Sequence, residues 1–111
     1  MLTEPRLRQA AREENDKRLL LNIEAWLKTV KKLNWQSIHD AHKHFKTADQ
    51  YKNCIVFNIL HNEYRLVCWV KYSQMVTENG VQRLTKGALY FRRLLKHAEY
   101  DRETWKEDCC G

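Results

Sequence analysis

The chain has 111 residues, 43% of them hydrophobic and 31% charged, with only 3 Gly and 1 Pro, which suffices for one modest core, excludes a second domain and leaves no room for long low-complexity segments. We therefore expect a single domain over residues 1 to 111. The formal charge of +6 is unevenly spread, about +3 over residues 1–51, +6 over 52–96 and −3 over 97–111, and a cationic middle draws polyanions, nucleic acid first, unless its lysines only solubilise a face.

No apolar run approaches the roughly 18 residues of a membrane span, and MLTEPRLRQAAREEN lacks the apolar stretch of a signal peptide. The expectation is a cytoplasmic protein that contacts no membrane. Cys54, Cys68, Cys109 and Cys110 have no CxxC spacing, and reduced thiols are expected.

In chain order, residues 3 to 33 read as helix with a break near Asn15, because Leu19, Leu20, Ile23, Ala25, Trp26, Leu27 and Val30 recur at spacings that keep one face apolar. Thr3 followed by Pro5 suits a helix start. A further short helix is expected from Ser37 to Phe45, with Ser37 as N-cap and Asp40 in the capping-box place. His39, His42 and His44 lie within it, but only the first two share a helical face and no carboxylate or thiolate completes a metal set. We expect surface histidines there, no metal and no cofactor.

From Cys54 the period changes to two. CIVFNIL, YRLVCWVKY and ALYFRRLL read as a three-stranded antiparallel meander, with residues 74 to 87 as a long polar loop that includes Asn79-Gly80. Alternation sets Ile55, Phe57 and Ile59 against Val56, Asn58 and Leu60, and groups Arg65 and Lys71 with Val67 and Trp69. It groups Arg92 and Lys96 with Tyr90 and Leu94, and Arg93 with Phe91 and Leu95. One sheet face is expected to take the helices and the other to carry cations and aromatics. The fold class is thus α+β, N-terminal helices on a small antiparallel sheet. The tryptophans could stack nucleobases, but Trp26 and Trp35 read as core and Trp69 as packing.

The richest chemistry gathers around the last strand: Arg65, Arg92, Lys96, His97, Tyr100 and Asp101. Metal-free RNA cleavage needs a base for the 2′-hydroxyl proton, an acid for the departing 5′-oxygen and fixed cations for the phosphate charge, and this set supplies all three. HAEYDRET reads equally as a strand-to-helix junction with Asp101 as its cap. The residues alone leave both readings open.

The order VFNILHNEYRLVCWVKY, LYFRRLLKHAEYD and WKEDC, with TADQ and Trp35 before it, resembles the HigB family of toxins from type II toxin–antitoxin pairs, a branch of the RelE superfamily. The resemblance covers roughly residues 18 to 108. It implies a RelE-like fold and a ribosome-dependent mRNA interferase, silenced by a HigA-like helix-turn-helix antitoxin. It places Arg65, Arg92, His97, Tyr100 and Asp101 in the catalytic positions, with Arg65 and Arg92 on phosphate, His97 and Tyr100 as base and acid in an unassigned order, and Asp101 orienting His97 or capping the junction. Lys52, Asn58, Lys71, Arg93 and Lys96 are the expected RNA contacts around them. The chain departs from the family in three places: Lys96 stands where Thr is usual, Leu60-His61 replaces a Gly-containing turn, and residues 74–87 are longer than the usual hairpin. The alternative is a basic RNA-binding or translation-modulating module without catalysis.

Overall fold

A computed structural model describes residues 3–31 and 34–108. Helix α1 (Glu4–Glu13) and helix α2 (Lys17–Val30) are separated at Asn15, which takes φ 55°, a conformation that asparagine tolerates better than most residues. Asp16 then caps α2, its carboxylate accepting the Arg18 and Leu19 amides. Thr3 precedes α1 as expected, but its hydroxyl accepts the Phe91 amide instead of capping the helix, tying the helix start to the last strand. The apolar face of α2 buries Leu19, Ile23, Trp26, Leu27 and Val30; Ala25, expected there, is exposed. Arg8 fastens α1 to α2 through Glu24 at 2.6 Å.

Helix α3 (Ile38–His42) is shorter than expected, and its cap differs. The Ser37 side chain makes no cap bond, while Asp40 accepts the amide of Gln36, one residue further out. His39 and His42 do share a face, their rings 6.5 Å apart; His42 Nε2 faces the Ala48 carbonyl at 2.7 Å.

Strands β1 (Asp49–Tyr51), β2 (Cys54–Ile59), β3 (Tyr64–Lys71) and β6 (Ala88–Lys96) form an antiparallel sheet in the order β1-β2-β3-β6. The meander is as the sequence suggests, with β1 added to its edge. The polar loop is not a loop: β4 (Met75–Glu78) and β5 (Val81–Leu84) make a separate hairpin. Its turn sets Asn79 and Gly80 at φ 51° and 78°, the paired positive angles that favour Asn-Gly. Gly87 closes the return to β6, where a Cβ would meet the Lys71 carbonyl at 3.0 Å.

One face of the four-stranded sheet packs on the helices through Ile55, Phe57, Ile59, Leu66, Cys68 and Phe91. Phe57 lies at the centre, in contact with the rings of Trp26, Trp35 and Phe45. The opposite face is not open. A second cluster of Cys54, Val56, Val67 and Leu95 lies under Trp105, which belongs to a 3-10 turn (Thr104–Asp108) and is 3% exposed. Cys54 is disulfide-bonded, against the expectation of thiols throughout, whereas Cys68 is a free, fully buried thiol. Cys109 and Cys110 lie outside the described residues.

The expected alternation in β6 fails at one point. Val67 pairs with Arg93 and Cys68 with Phe91, so Arg92 is an unmatched bulge residue. Every side chain after it changes face. Arg93 and Leu95 therefore join the face of Val67 and Arg65, opposite the face on which Phe91 packs, and Lys96 pairs with Tyr64 on the helix side.

Candidate functional site

Strand β6 ends where helix α4 (His97–Asp101) begins. One turn of helix puts positions 97, 100 and 101 side by side, since neighbours on a helical surface lie three and four residues apart. His97 Nδ1 sits 3.1 Å from Asp101 Oδ2, both side chains more than half exposed. Asp101 lies at the C-terminal end of α4, so it caps no helix start; its contact is with His97.

Tyr100 turns inward. Its ring stacks on Trp105 with centroids 5.1 Å apart and planes 11° off parallel, and its carbonyl accepts the Trp105 indole N–H. The Arg65 guanidinium lies over the same ring at 5.3 Å. Arg65 is held from below, its Nη1 donating to the carbonyls of Asn62 and Tyr64 at 3.0 and 3.3 Å. The Asn62 carbonyl belongs to the β2–β3 turn, where Leu60 and His61 both take positive φ, and the Tyr64 carbonyl to the first residue of β3, so the turn that departs from the family pattern also helps to position Arg65. The Tyr100 hydroxyl is held above the ordinary phenol range, first by burial and then by Asp49; Arg65 and Lys106 oppose the shift. Tyr100 is therefore protonated at neutral pH.

A cleft of about 300 Å³ opens beside this cluster, lined among others by Asp49, Tyr51, Val56, Tyr100, Asp101 and Lys106. A narrower pocket of about 110 Å³ lies elsewhere, between α2 and the start of β6 near Trp35 and Gly87, without a carboxylate–imidazole pair. Arg65 thus lies over the Tyr100 ring, Tyr100 and Asp101 line one cleft, and His97 joins them through Asp101.

The remaining expected residues are placed differently. Arg92 lies over Trp69, its guanidinium carbon 3.2 Å from the ring centroid. Trp69 is four residues along β3 from Arg65, roughly 13 Å at strand rise, so the two arginines occupy different parts of the face. Lys96 approaches Glu14 at 3.6 Å. Asn58 is half-buried and donates to Thr47 Oγ1. Lys52 lies over the Tyr51 ring at 5.6 Å, and Lys71 is exposed at the far end of β3. Arg93 is exposed on the face of the cleft.

Sequence reasoning missed Asp49, Trp105 and Lys106 as members of the site. Asp49 falls in TADQ and the other two in WKEDC, the segments that flank the meander. Only pairing of β1 with β2 and the fold-back of the 3-10 turn bring them to Tyr100.

A family model described as the RelE-like toxic component of a toxin–antitoxin system, HigB_toxin, matches residues 21–103. No curated protein and no solved structure gives a significant match. The matched span contains β1 to β6 and the whole of α4.

Proposed function

The chain belongs to the HigB family of RelE-like toxins, the toxic components of toxin–antitoxin systems, and on that premise we propose that it is an endoribonuclease that cuts mRNA on the ribosome. The observation that carries the reading is the convergence of the His97–Asp101 pair, the protonated Tyr100 and the anchored Arg65 at one end of the sheet.

In this mechanism His97 is the base. With Nδ1–H turned to Asp101, the free Nε2 takes the proton from the 2′-hydroxyl, whose oxygen attacks the adjacent phosphorus. Arg65 faces the charge that builds on the non-bridging oxygens. Tyr100 gives its proton to the departing 5′-oxygen, as its raised pKa favours the acid role over the base. The P–O5′ bond breaks, leaving a 2′,3′-cyclic phosphate and a 5′-hydroxyl. All charge and proton transfers are assigned to side chains, with no metal or cofactor. The partners are a cognate antitoxin, here of the helix-turn-helix HigA-like kind, and mRNA in the cytoplasm; no helix among the described residues is long and apolar enough to cross a membrane.

The test is product analysis. Antitoxin-free protein added to a translation extract should yield mRNA fragments whose 5′ ends accept phosphate from a kinase without prior dephosphorylation, and should do so with Mg²⁺ as the only added divalent ion. Intact mRNA beside inhibited translation would replace this reading with non-catalytic RNA or ribosome binding. A strict need for added zinc or manganese would defeat the mechanism.

A further inference from the structure

Arg92 is half-buried, and its Nε is shielded from solvent with no acceptor. Among the described residues it makes no hydrogen bond or ion pair; its partner is the Trp69 ring. Other guanidiniums of this chain are satisfied differently: Arg8, Arg18 and Arg83 donate to carboxylates, and Arg65 to carbonyls. A shielded donor without an acceptor is costly, and attraction to the indole face offsets only part of that cost. The shielded Nε is out of a ligand's reach, but the Nη groups, which have no acceptor among the described residues either, are donors that an acceptor from outside the chain can meet.

The surroundings indicate which. Trp69 is half-buried, at the margin of the cluster under Trp105, and pairs across β3–β6 with Tyr90, also half-buried. The bulge at Arg92 places two consecutive arginines, 92 and 93, beside this aromatic pair, where strict alternation would separate them. Aromatic faces and guanidinium planes are surfaces on which unpaired nucleobases stack, and guanidinium N–H groups meet base or phosphate acceptors.

We infer that Trp69, Tyr90 and Arg92 form a nucleobase subsite, separate from the reacting cluster, that holds one unpaired nucleotide flanking the scissile bond. The inference rests on the RNA reading above and deepens it. The roughly 13 Å of strand between Arg65 and Trp69 sets the subsite away from the cleaved phosphate, so Arg92 acts on substrate position and Arg65 on charge. The base stacks on the Trp69–Arg92 surface and the free donors of Arg92 reach an acceptor on the same nucleotide.

The experiment measures binding of 2′-O-methyl oligonucleotides, which cannot be cleaved by 2′-oxygen attack, to the full chain at low salt. A single abasic position is moved along the oligonucleotide. Trp69→Leu should weaken binding by roughly 5- to 150-fold, the range of one base-on-aromatic stack, and Trp69→Phe should restore most of it. An abasic substitution at one position should weaken the wild type by a similar factor and add little in the Trp69→Leu background, as coupled partners do. Arg92→Gln, which leaves Trp69 in place, should show the same positional dependence and covers the case in which Trp69→Leu fails to fold. Wild-type affinity in folded Trp69→Leu and Arg92→Gln, or losses equal at every abasic position, overturns the subsite alone. A wild-type protein that binds none of the oligonucleotides also overturns the subsite, whereas the RNA reading stands or falls on the product analysis in the translation extract.

Discussion

His97 Nδ1 lies 3.1 Å from Asp101 Oδ2 across one turn of α4, and the exposure of both groups limits what the pair can contribute. An ion pair in water is weak, so Asp101 orients the imidazole more than it energises it. We expect Asp101→Asn, which keeps an acceptor in place, to lower mRNA cleavage only about two- to fivefold. His97→Gln should lower it 10²- to 10⁴-fold, the worth of a general base. Single-turnover cleavage, with antitoxin affinity as a fold control, checks both. Equal losses for the two variants would show that Asp101 takes part in the chemistry directly.

Tyr100 is assigned the acid because burial and Asp49 raise its pKa. An acid must be protonated to act, so activity that depends on it is present below that pKa and falls only as pH rises through it, above the ordinary phenol range. Between pH 7 and 9 the cleavage rate should show no decline that vanishes in Tyr100→Phe. At neutral pH, Tyr100→Phe should cost 10²- to 10⁴-fold while stability is nearly unchanged, since the ring still stacks on Trp105. A Tyr100-dependent decline centred near pH 8 would instead make the tyrosine a weak point of the assignment and favour His97 as the acid.

These predictions concern the part of the site that the sequence made legible. His97, Tyr100 and Asp101 fall within one five-residue stretch, so helical spacing could bring them near one another, whereas Arg65, second residue of β3, was grouped with them through the family resemblance. Arg92 shares the face of Tyr90 as expected, but Arg93 was wrongly grouped with Phe91, and Leu94 and Lys96 with Tyr90, because a bulge leaves no mark in the residue types and one extra residue reverses every later face. The helices were legible because α2 buries one stripe and breaks at Asn15. Strand β1 was not, being three residues long and exposed at its first two. The hairpin β4–β5 was missed for a related reason: seven of its eight residues are exposed, so burial imposes no alternation and only Asn79-Gly80 signals the turn.

Arg65 both faces Tyr100 and binds the carbonyls of Asn62 in the β2–β3 turn and of Tyr64 at the start of β3. Arg65→Lys should therefore fail to rescue what Arg65→Ala loses, because an ammonium cannot span the carbonyls and still present a fork to phosphate. Both variants should cleave about 10- to 150-fold more slowly, the worth of one charge-assisted contact of about 1.5–3 kcal/mol. Denaturant midpoints should fall slightly in both, through the loosened turn. Full activity in Arg65→Lys would reduce the role to charge alone.

The last prediction separates scaffold from site. Phe57 is 1% exposed and meets the rings of Trp26, Trp35 and Phe45 within 5.1 to 6.0 Å, yet it lies on the helix side of the sheet, opposite Trp105 and Tyr100. Truncation removes a large buried side chain and leaves a cavity among rings that cannot collapse freely, which costs about 3–5 kcal/mol. That is a large share of the 5–15 kcal/mol available to a small domain. Phe57→Ala should thus unfold at much lower denaturant, while the fraction still folded cleaves mRNA at the wild-type rate. Phe57→Leu should fall between them in stability with the same rate per folded molecule. Activity normalised to folded protein, measured below each variant's transition, tests the separation; a drop in that normalised rate would mean that packing on the helix face sets the geometry of Tyr100 and Arg65 through the sheet.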